Sequence, residues 1–172
     1  MHEILLTARK FSVERRVIAG PDGRTLTREV VVHPGAVVIL PILDERRIVM
    51  IRNFRHSVGE ELLELPAGTC EPGEPIVETA RRELIEETGY RARSMDLLGE
   101  FYSSPGVMTE VMHAFVASGL ELVGQALEPD EKIVPEIVEV NRVRAMLSRA
   151  ELRDGKTIAT LGLYFAMAAN RP

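Results

Sequence analysis

Glu83, Glu86 and Glu87 stand at i, i+3 and i+4 in the segment Arg82-Glu83-Leu84-Ile85-Glu86-Glu87-Thr88-Gly89. In a helix that spacing puts three carboxylates on one face. They repel one another, and they sit in the last turn, where the helix dipole is already negative. Each effect costs roughly 0.3 kcal/mol or more. At about 100° per residue, Glu83 and Glu87 project beside Ile76 and Ala80. Ile76, Val77, Ala80 and Leu84 form the stripe expected to be buried, so two acids lie at its edge, where an unpaired carboxylate is costly. A divalent cation would remove all three penalties at once, and hard oxygens clustered in this way suit Mg²⁺ or Mn²⁺. The competing reading is a solvated acidic helix end with Arg81 and Arg82 as partners.

The surrounding spacing is more specific. Gly68, Glu74, Arg82, Glu83, Leu84, Glu86, Glu87 and Gly89 follow the pattern Gly, five residues, Glu, seven residues, Arg-Glu-aliphatic-any-Glu-Glu-any-Gly. Residues 68–90 therefore resemble the Nudix box, with Tyr90 standing where that pattern prefers an aliphatic residue. The resemblance implies an α+β fold, an α/β/α sandwich with the box as loop–helix–loop. It implies metal ligation by Glu83, Glu87 and the carbonyl of Ala67, with Glu86 binding metal or assisting the attacking water. Gly68, Glu74 and Arg82 would hold loop and helix in shape. The cofactor implied is Mg²⁺ or Mn²⁺, roughly one to three ions. Such ions would neutralise a pyrophosphate and acidify a water for in-line attack on one phosphorus.

Three segments outside the box bear on the substrate. Ser103-Ser104-Pro105-Gly106, with Glu110 beyond it, resembles the ADP-ribose pyrophosphatase subgroup, in which Glu110 would contact substrate. Alone, the same four residues would be an ordinary turn. Ile51-Arg52-Asn53-Phe54-Arg55, followed by Leu63-Glu64-Leu65-Pro66-Ala67-Gly68, resembles the same subgroup and makes Arg55 a substrate contact, since a planar guanidinium forks onto phosphate. The N-terminal hairpin resembles an extra subdomain that in this subgroup swaps across a homodimer, so Arg28 would reach the partner's site. The base would be a late-loop glutamate. Aligning Glu139-Val140 with the family's following strand selects Glu136, with Glu131 as the alternative and Asp130 or Glu139 behind them.

These residues need elements to carry them. Residues 9–33 read as a hairpin around Pro21-Asp22-Gly23-Arg24. Residues 36–43 read as a buried strand interrupted by Pro41. Further strands are expected at 48–52, 61–65, 97–102, 113–117 and 137–140, with 66–75 as a loop. Helices are expected at 76–88, with Pro75 at the first position and Gly89 at the end, at 142–150 capped by Asn141, and from about Thr157. In the last, Ile158, Leu161, Phe165 and Ala168 recur at helical spacing. The organisation implied is a β subdomain at 1–34 and a catalytic domain at 35–172.

Bulk properties exclude other classes. With 21 Lys and Arg against 26 Asp and Glu, the net charge is −5, a poor basis for wrapping nucleic acid. The single cysteine, Cys70, allows no intrachain disulfide and favours a reducing compartment. Residues 1–7 do not read as a signal peptide, and the most apolar stretch, 158–169, is too short to span a bilayer. The expectation is a cytoplasmic homodimer acting on a nucleoside diphosphate sugar, with no nucleic-acid or membrane partner. ADP-ribose would yield AMP and ribose 5-phosphate; ADP-glucose or GDP-mannose is the alternative substrate. A non-catalytic ADP-ribose sensor is the reading from another class. Its usual fused DNA-binding segment has no room in this sequence, and its usual damaged box is not seen here. A plain interaction domain is the third reading.

Overall fold

The structure, a computed structural model, describes residues 2–127 and 132–169. Strands β1 (His2–Thr7), β2 (Ser12–Ala19) and β3 (Thr25–Val32) form an antiparallel sheet in that order. There follow β4 (Ala36–Pro41), β5 (Arg47–Arg55), β6 (Glu60–Glu64), β7 (Ala67–Thr69), helix α1 (Ile76–Thr88), β8 (Tyr90–Tyr102), β9 (Val111–Leu122) and β10 (Ile133–Glu139). Helices α2 (Val140–Ser148) and α3 (Gly155–Ala169) complete the described chain. A four-stranded sheet runs β7-β4-β9-β8, and a three-stranded antiparallel sheet runs β10-β5-β6.

The layering follows from strand periodicity. Successive side chains on β4 point to opposite faces, and both faces are apolar. Ala36, Val38 and Leu40 pack in a core with Val143 of α2 and Leu161 of α3. Val37 and Ile39 pack with Ala80 and Leu84 of α1. One strand thus glues helices to both sides of the sheet, the expected α/β/α arrangement. Burying Leu84 completely contributes roughly 2 kcal/mol. The expected stripe of α1 is realised at Ala80 and Leu84, and Glu87 joins it, at 4% exposure.

The hairpin at 9–33 and the helix at 76–88 are as expected, and β4 ends at Pro41. Elsewhere the elements differ, each for a physical reason. β1 is exposed at every position, so no burial alternation marks it in the sequence. β7 lies inside the stretch expected to be loop, where it pairs antiparallel with β4 through Val38–Ala67, Val37–Gly68 and Ala36–Thr69. β8 and β9 are about twice the expected length because their polar outer halves pair with each other, Arg91 with Glu121 and Ser94 with Ser118. β10 carries Pro135, tolerated because β10 is an edge strand. Strand β10 runs straight into α2, whose cap is Glu139 rather than Asn141. Pro75 likewise is the capping residue of α1 and not its first helical one. In α3 the buried stripe is Thr157, Thr160 and Leu161; Ile158 and Ala168 face outward.

The end of α1 is fixed by Gly89, at φ 75°, whose N–H closes on Ile85 O at 2.8 Å. A Cβ there would lie 2.9 Å from Gln125 N. Gly89→Ala therefore combines left-handed strain with a backbone clash. It should destabilise the fold by at least about 1 kcal/mol, read as a shift of the urea midpoint at unchanged slope.

Candidate active site

Helix α1 meets strand β7 through the side chains of Glu83 and Glu87. A Cβ on Gly68 would fall 1.9 Å from the Glu83 carboxyl carbon, so glycine at 68 is a condition for Glu83 to lie where it does. One residue earlier, the Ala67 N–H donates to Glu87 Oε2 at 2.8 Å. The box glycine and two of its glutamates are thus packed into one volume.

Arg82 organises the rest. Its Nε and Nη2 fork onto Glu74 at 3.3 and 3.1 Å, and Glu74 also accepts the Thr79 hydroxyl at 2.8 Å. Its Nη1 donates to Glu83 Oε1 at 2.8 Å and to Glu86 Oε2 at 3.0 Å. Glu74 first, then Glu83 and Glu86, push the guanidinium upward, so Arg82 stays charged. The same fork, with Thr79, holds the Glu74 carboxyl below the usual carboxylate range. Arg82 therefore does more than shape the loop. It supplies a counter-charge to Glu83 and Glu86, so part of the repulsion within this pair is relieved by the chain itself, by one of the two arginines of the competing reading. The acids are still not a solvated helix end, because Glu87 is buried and Glu83 is 14% exposed.

Among the described residues no three Asp, Glu, His or Cys side chains converge as a ready-made coordination set. The residues nonetheless fit a hard divalent ion. The donors are carboxylate oxygens, three of them come from one helix face, and Gly68 leaves space at Glu83 that any side chain would fill.

The acids line a hollow of about 650 Å³, whose wall includes Arg55, Asn53, Gly68, Phe11 and Cys70. A second hollow of about 450 Å³ shares Arg55, Ala67, Gly68, Thr69 and Lys10 with it, and adds Glu110, Ser103 and Lys156. The two are arms of one cleft parted at Arg55. Burial first, then Glu74 and Glu83, push the Cys70 thiol up, which suits a wall residue and not a nucleophile.

The structure brings together Ala67, Gly68, Arg82, Glu83, Glu86, Glu87, Arg55 and Glu110. Glu110 Oε1 lies 3.3 Å from His33 Nδ1. Pro105 is exposed in the turn before Glu110 and lines neither arm. Arg28 is exposed on β3, bonded to its neighbour's carbonyl, Thr27 O, away from this chain's cleft. Glu136 is not brought in either. It pairs with Met50 in register and takes the Arg52 Nε at 2.7 Å, on the strand face opposite to Asn53 and Arg55. Glu131, like Asp130, lies outside the described residues. Glu64, Asp154 and Lys156 were not singled out from sequence. The available signal was a carboxylate inside the apolar run Leu62-Leu63-Glu64-Leu65, which is fully buried.

Residues 32–161 match the NUDIX domain, and the chain belongs to that family. It is 40% identical over 139 residues to the ADP-ribose pyrophosphatase of Bacillus subtilis, covering 80% of this chain and 75% of that protein. It is 39% identical over 140 residues to the methanol dehydrogenase activator of Bacillus methanolicus (80% and 76%). It is 36% identical over 137 residues to the GDP-mannose pyrophosphatase of Citrobacter koseri (74% and 71%). A crystal structure of an ADP compounds hydrolase has the same fold, with TM-score 0.84 and 23% identity, covering 100% of this chain and 95% of that one. The protein is a Nudix hydrolase of the kind that includes the ADP-ribose pyrophosphatases, and Nudix enzymes generally use divalent metal ions. Among the described residues no helix is long and apolar enough to cross a membrane.

The Glu74–Arg82 fork makes a pH-dependent contribution. Since the folded Glu74 carboxyl is lowered, the stabilisation is present above the ordinary carboxylate range and is lost as pH falls through the lowered value. Glu74→Gln should cost about 1 kcal/mol at neutral pH. The gap to the parent protein should close in acid, as followed by urea unfolding across that range.

Proposed function

We propose that this chain hydrolyses the pyrophosphate bond of a nucleoside diphosphate sugar, with ADP-ribose foremost, giving AMP and ribose 5-phosphate, and that it needs Mg²⁺ or Mn²⁺ to do so. The observation that carries this reading is the set Glu83, Glu86 and Glu87 on one helix face, lining a cleft that also contains Arg55. The relatives named ADP-ribose pyrophosphatase support the nucleotide and the sugar, as does the Ser103-Ser104-Pro105-Gly106 turn leading to Glu110 in the adjoining arm.

Glu83, Glu87 and the Ala67 carbonyl would hold the ion, with Glu86 beside them. When bound, it neutralises phosphate charge and acidifies water. The chain's own residues supply position. Arg55 presents a planar cation to the phosphates, and Glu110 faces the sugar-side arm. Glu86 orients the water whose oxygen bonds to one phosphorus while the bond from that phosphorus to the bridging oxygen breaks. The proton that this water loses would go to a carboxylate, and the departing phosphate would keep the electron pair of the broken bond.

For that carboxylate the reading moves from Glu136 to Glu131. Glu136 is held by Arg52 on the other strand face. The described flanks of Glu131 are anchored at the end of α1: Ala126 N donates to Glu86 O at 3.3 Å, and Gln125 Nε2 donates to Glu87 O and Ile133 O at 2.7 and 3.3 Å. The 1–34 sheet would serve dimerisation. It exposes Ile4, Leu5, Leu6, Val17 and Ile18, apolar surface that a second copy would cover while bringing Arg28 to its partner.

The test is a panel of ADP-ribose, ADP-glucose and GDP-mannose with Mg²⁺, assayed for nucleoside monophosphate. The highest kcat/KM should fall on ADP-ribose, and chelation should abolish it. A preference for GDP-mannose moves the substrate to that sibling activity; binding without any turnover leaves a sensor and ends the enzyme reading. Glu83→Gln and Glu87→Gln should each lower kcat at least about 100-fold. Without metal, Glu87→Gln should unfold no earlier than the parent, since it removes a buried charge.

Glu131→Gln should lower kcat about 100-fold or more, as loss of a general base does, while Glu136→Gln should stay within about fivefold. The reverse order, read from paired kcat values, would return the base to Glu136.

A further inference from the structure

Glu64 is fully buried on β6, and a carboxylate taken out of water needs cations and hydrogen bonds to remain ionised. It has two cations. Arg55 forks onto it, Nε to Oε1 at 2.8 Å and Nη2 to Oε2 at 2.5 Å. Lys156, in the first turn of α3, donates from Nζ to the same Oε2. Lys156 also lies 2.9 Å from Asp154 Oδ2. Asp154 in turn accepts the Thr157 N–H at 3.0 Å and its hydroxyl. The Thr157 oxygen accepts the Leu65 N–H at 2.8 Å, which returns the chain of contacts to the residue after Glu64.

Charges alternate along this chain: Arg55 positive, Glu64 negative, Lys156 positive, Asp154 negative. It ties β6 to a helix 92 residues away in sequence. Arg55, Asp154 and Lys156 line one arm of the cleft, and Arg55 lines both. Buried ion networks add little stability over apolar packing of the same volume, so the return on this one lies in orientation. Glu64 engages Nε and Nη2 of Arg55, one edge of the guanidinium, and Lys156 donates to the same Oε2. With Oε2 shared, Arg55 is not drawn further inward to satisfy the carboxylate alone.

We propose that Lys156, with Asp154 behind it, is a positioning residue for Arg55, fixing the guanidinium so that its other edge meets the phosphates of the bound nucleotide. The ligand assignment rests on the function proposed above; the geometry of the network does not.

A double-mutant cycle tests it. Lys156→Met should raise KM for ADP-ribose about tenfold with kcat within about threefold, the range for residues that orient a binding group. Lys156→Arg, which keeps the charge, should recover most of the loss. Arg55→Ala should cost more than Lys156→Met, and the double variant no more than Arg55→Ala alone, because residues acting through one another are not additive. Arg153→Ala, an exposed change just before α3 at a residue that pairs with Glu60 and not with this network, is the control. Additive losses, or a Lys156→Met KM within twofold of the parent, overturn the proposal while leaving the activity standing. The cycle is also read in the calorimetric Kd of ADP with Mg²⁺. If that shows the non-additivity while no nucleotide sugar is cleaved, the proposed activity falls and the positioning role stands; absence of ADP binding to the parent protein overturns the role. Should Lys156→Met fail to fold, Asp154→Asn breaks the same chain from its far end. A smaller rise in KM is then expected, and an unchanged KM overturns the proposal.

Discussion

Strand β7 and helix α1 approach so closely at Gly68 and Glu83 that a single methyl group would displace the carboxylate. The other features of the site are arranged around that contact. The strand is only three residues long, and it holds its place by pairing with β4, itself buried on both faces. The helix holds its place by burying Ala80 and Leu84 against the odd-numbered face of β4. One fully apolar strand thus positions both partners of the close approach. That explains how a crowded, acidic and intrinsically unfavourable helix end is kept in register: the repulsion is a local cost of a few tenths to about 1 kcal/mol, set against side chains buried at roughly 2 kcal/mol each.

Acids and bases both line the cleft, and three of its acids stand on one helix. The α1 wall carries Glu83, Glu86 and Glu87, with Arg82 threaded between them. Arg55 and Lys10 line the same hollow, and the adjoining arm carries Lys156 with Asp154 and Glu110. A net charge of −5 is therefore no obstacle to binding an anion, since the field that matters is set within a few ångströms in a partly dry cleft. The acids suit cations and the basic residues suit phosphates, and a metal-nucleotide complex offers both.

The most legible parts were those in which local chemistry and long-range packing ask for the same residues. The box spacing, the ends of α1 at Pro75 and Gly89, the hairpin turn at 21–24 and the apolar run of β4 all carry their reasons in the local sequence. What was not legible depended on partners distant in the chain. β7 exists because β4 lies beside it, β1 because β2 does, and the polar halves of β8 and β9 because they face each other. Charged networks behave alike. Glu64 is fully buried only because Arg55 and Lys156 arrive from other elements, and Arg82 combines the shaping role and the acid-pairing role that the sequence offered as parts of separate readings. The face that Glu136 takes was not legible either: in a strand, one residue of register decides which face a side chain takes, and the register of β10 is set by β5, not by its own composition.

The N-terminal sheet is joined to the cleft by backbone and not merely by proximity. Val31 N–H donates to Val107 O, and Thr109 N–H donates to Val31 O, each at 2.9 Å. The His33 N–H donates to the Thr109 hydroxyl at 3.0 Å, and the His33 ring stands beside Glu110. Residues 107–109 thus lie beside β3 as a short parallel bridge partner, and the next residue is a cleft-lining glutamate. Backbone hydrogen bonds and a buried ring transmit displacement better than a flexible tether does, because packed elements shift as units. Anything that repositions the β1–β3 sheet, including a second copy laid on its exposed apolar residues, therefore acts on Glu110 through three or four hydrogen bonds. The N-terminal sheet is in this way coupled to a residue that lines the cleft.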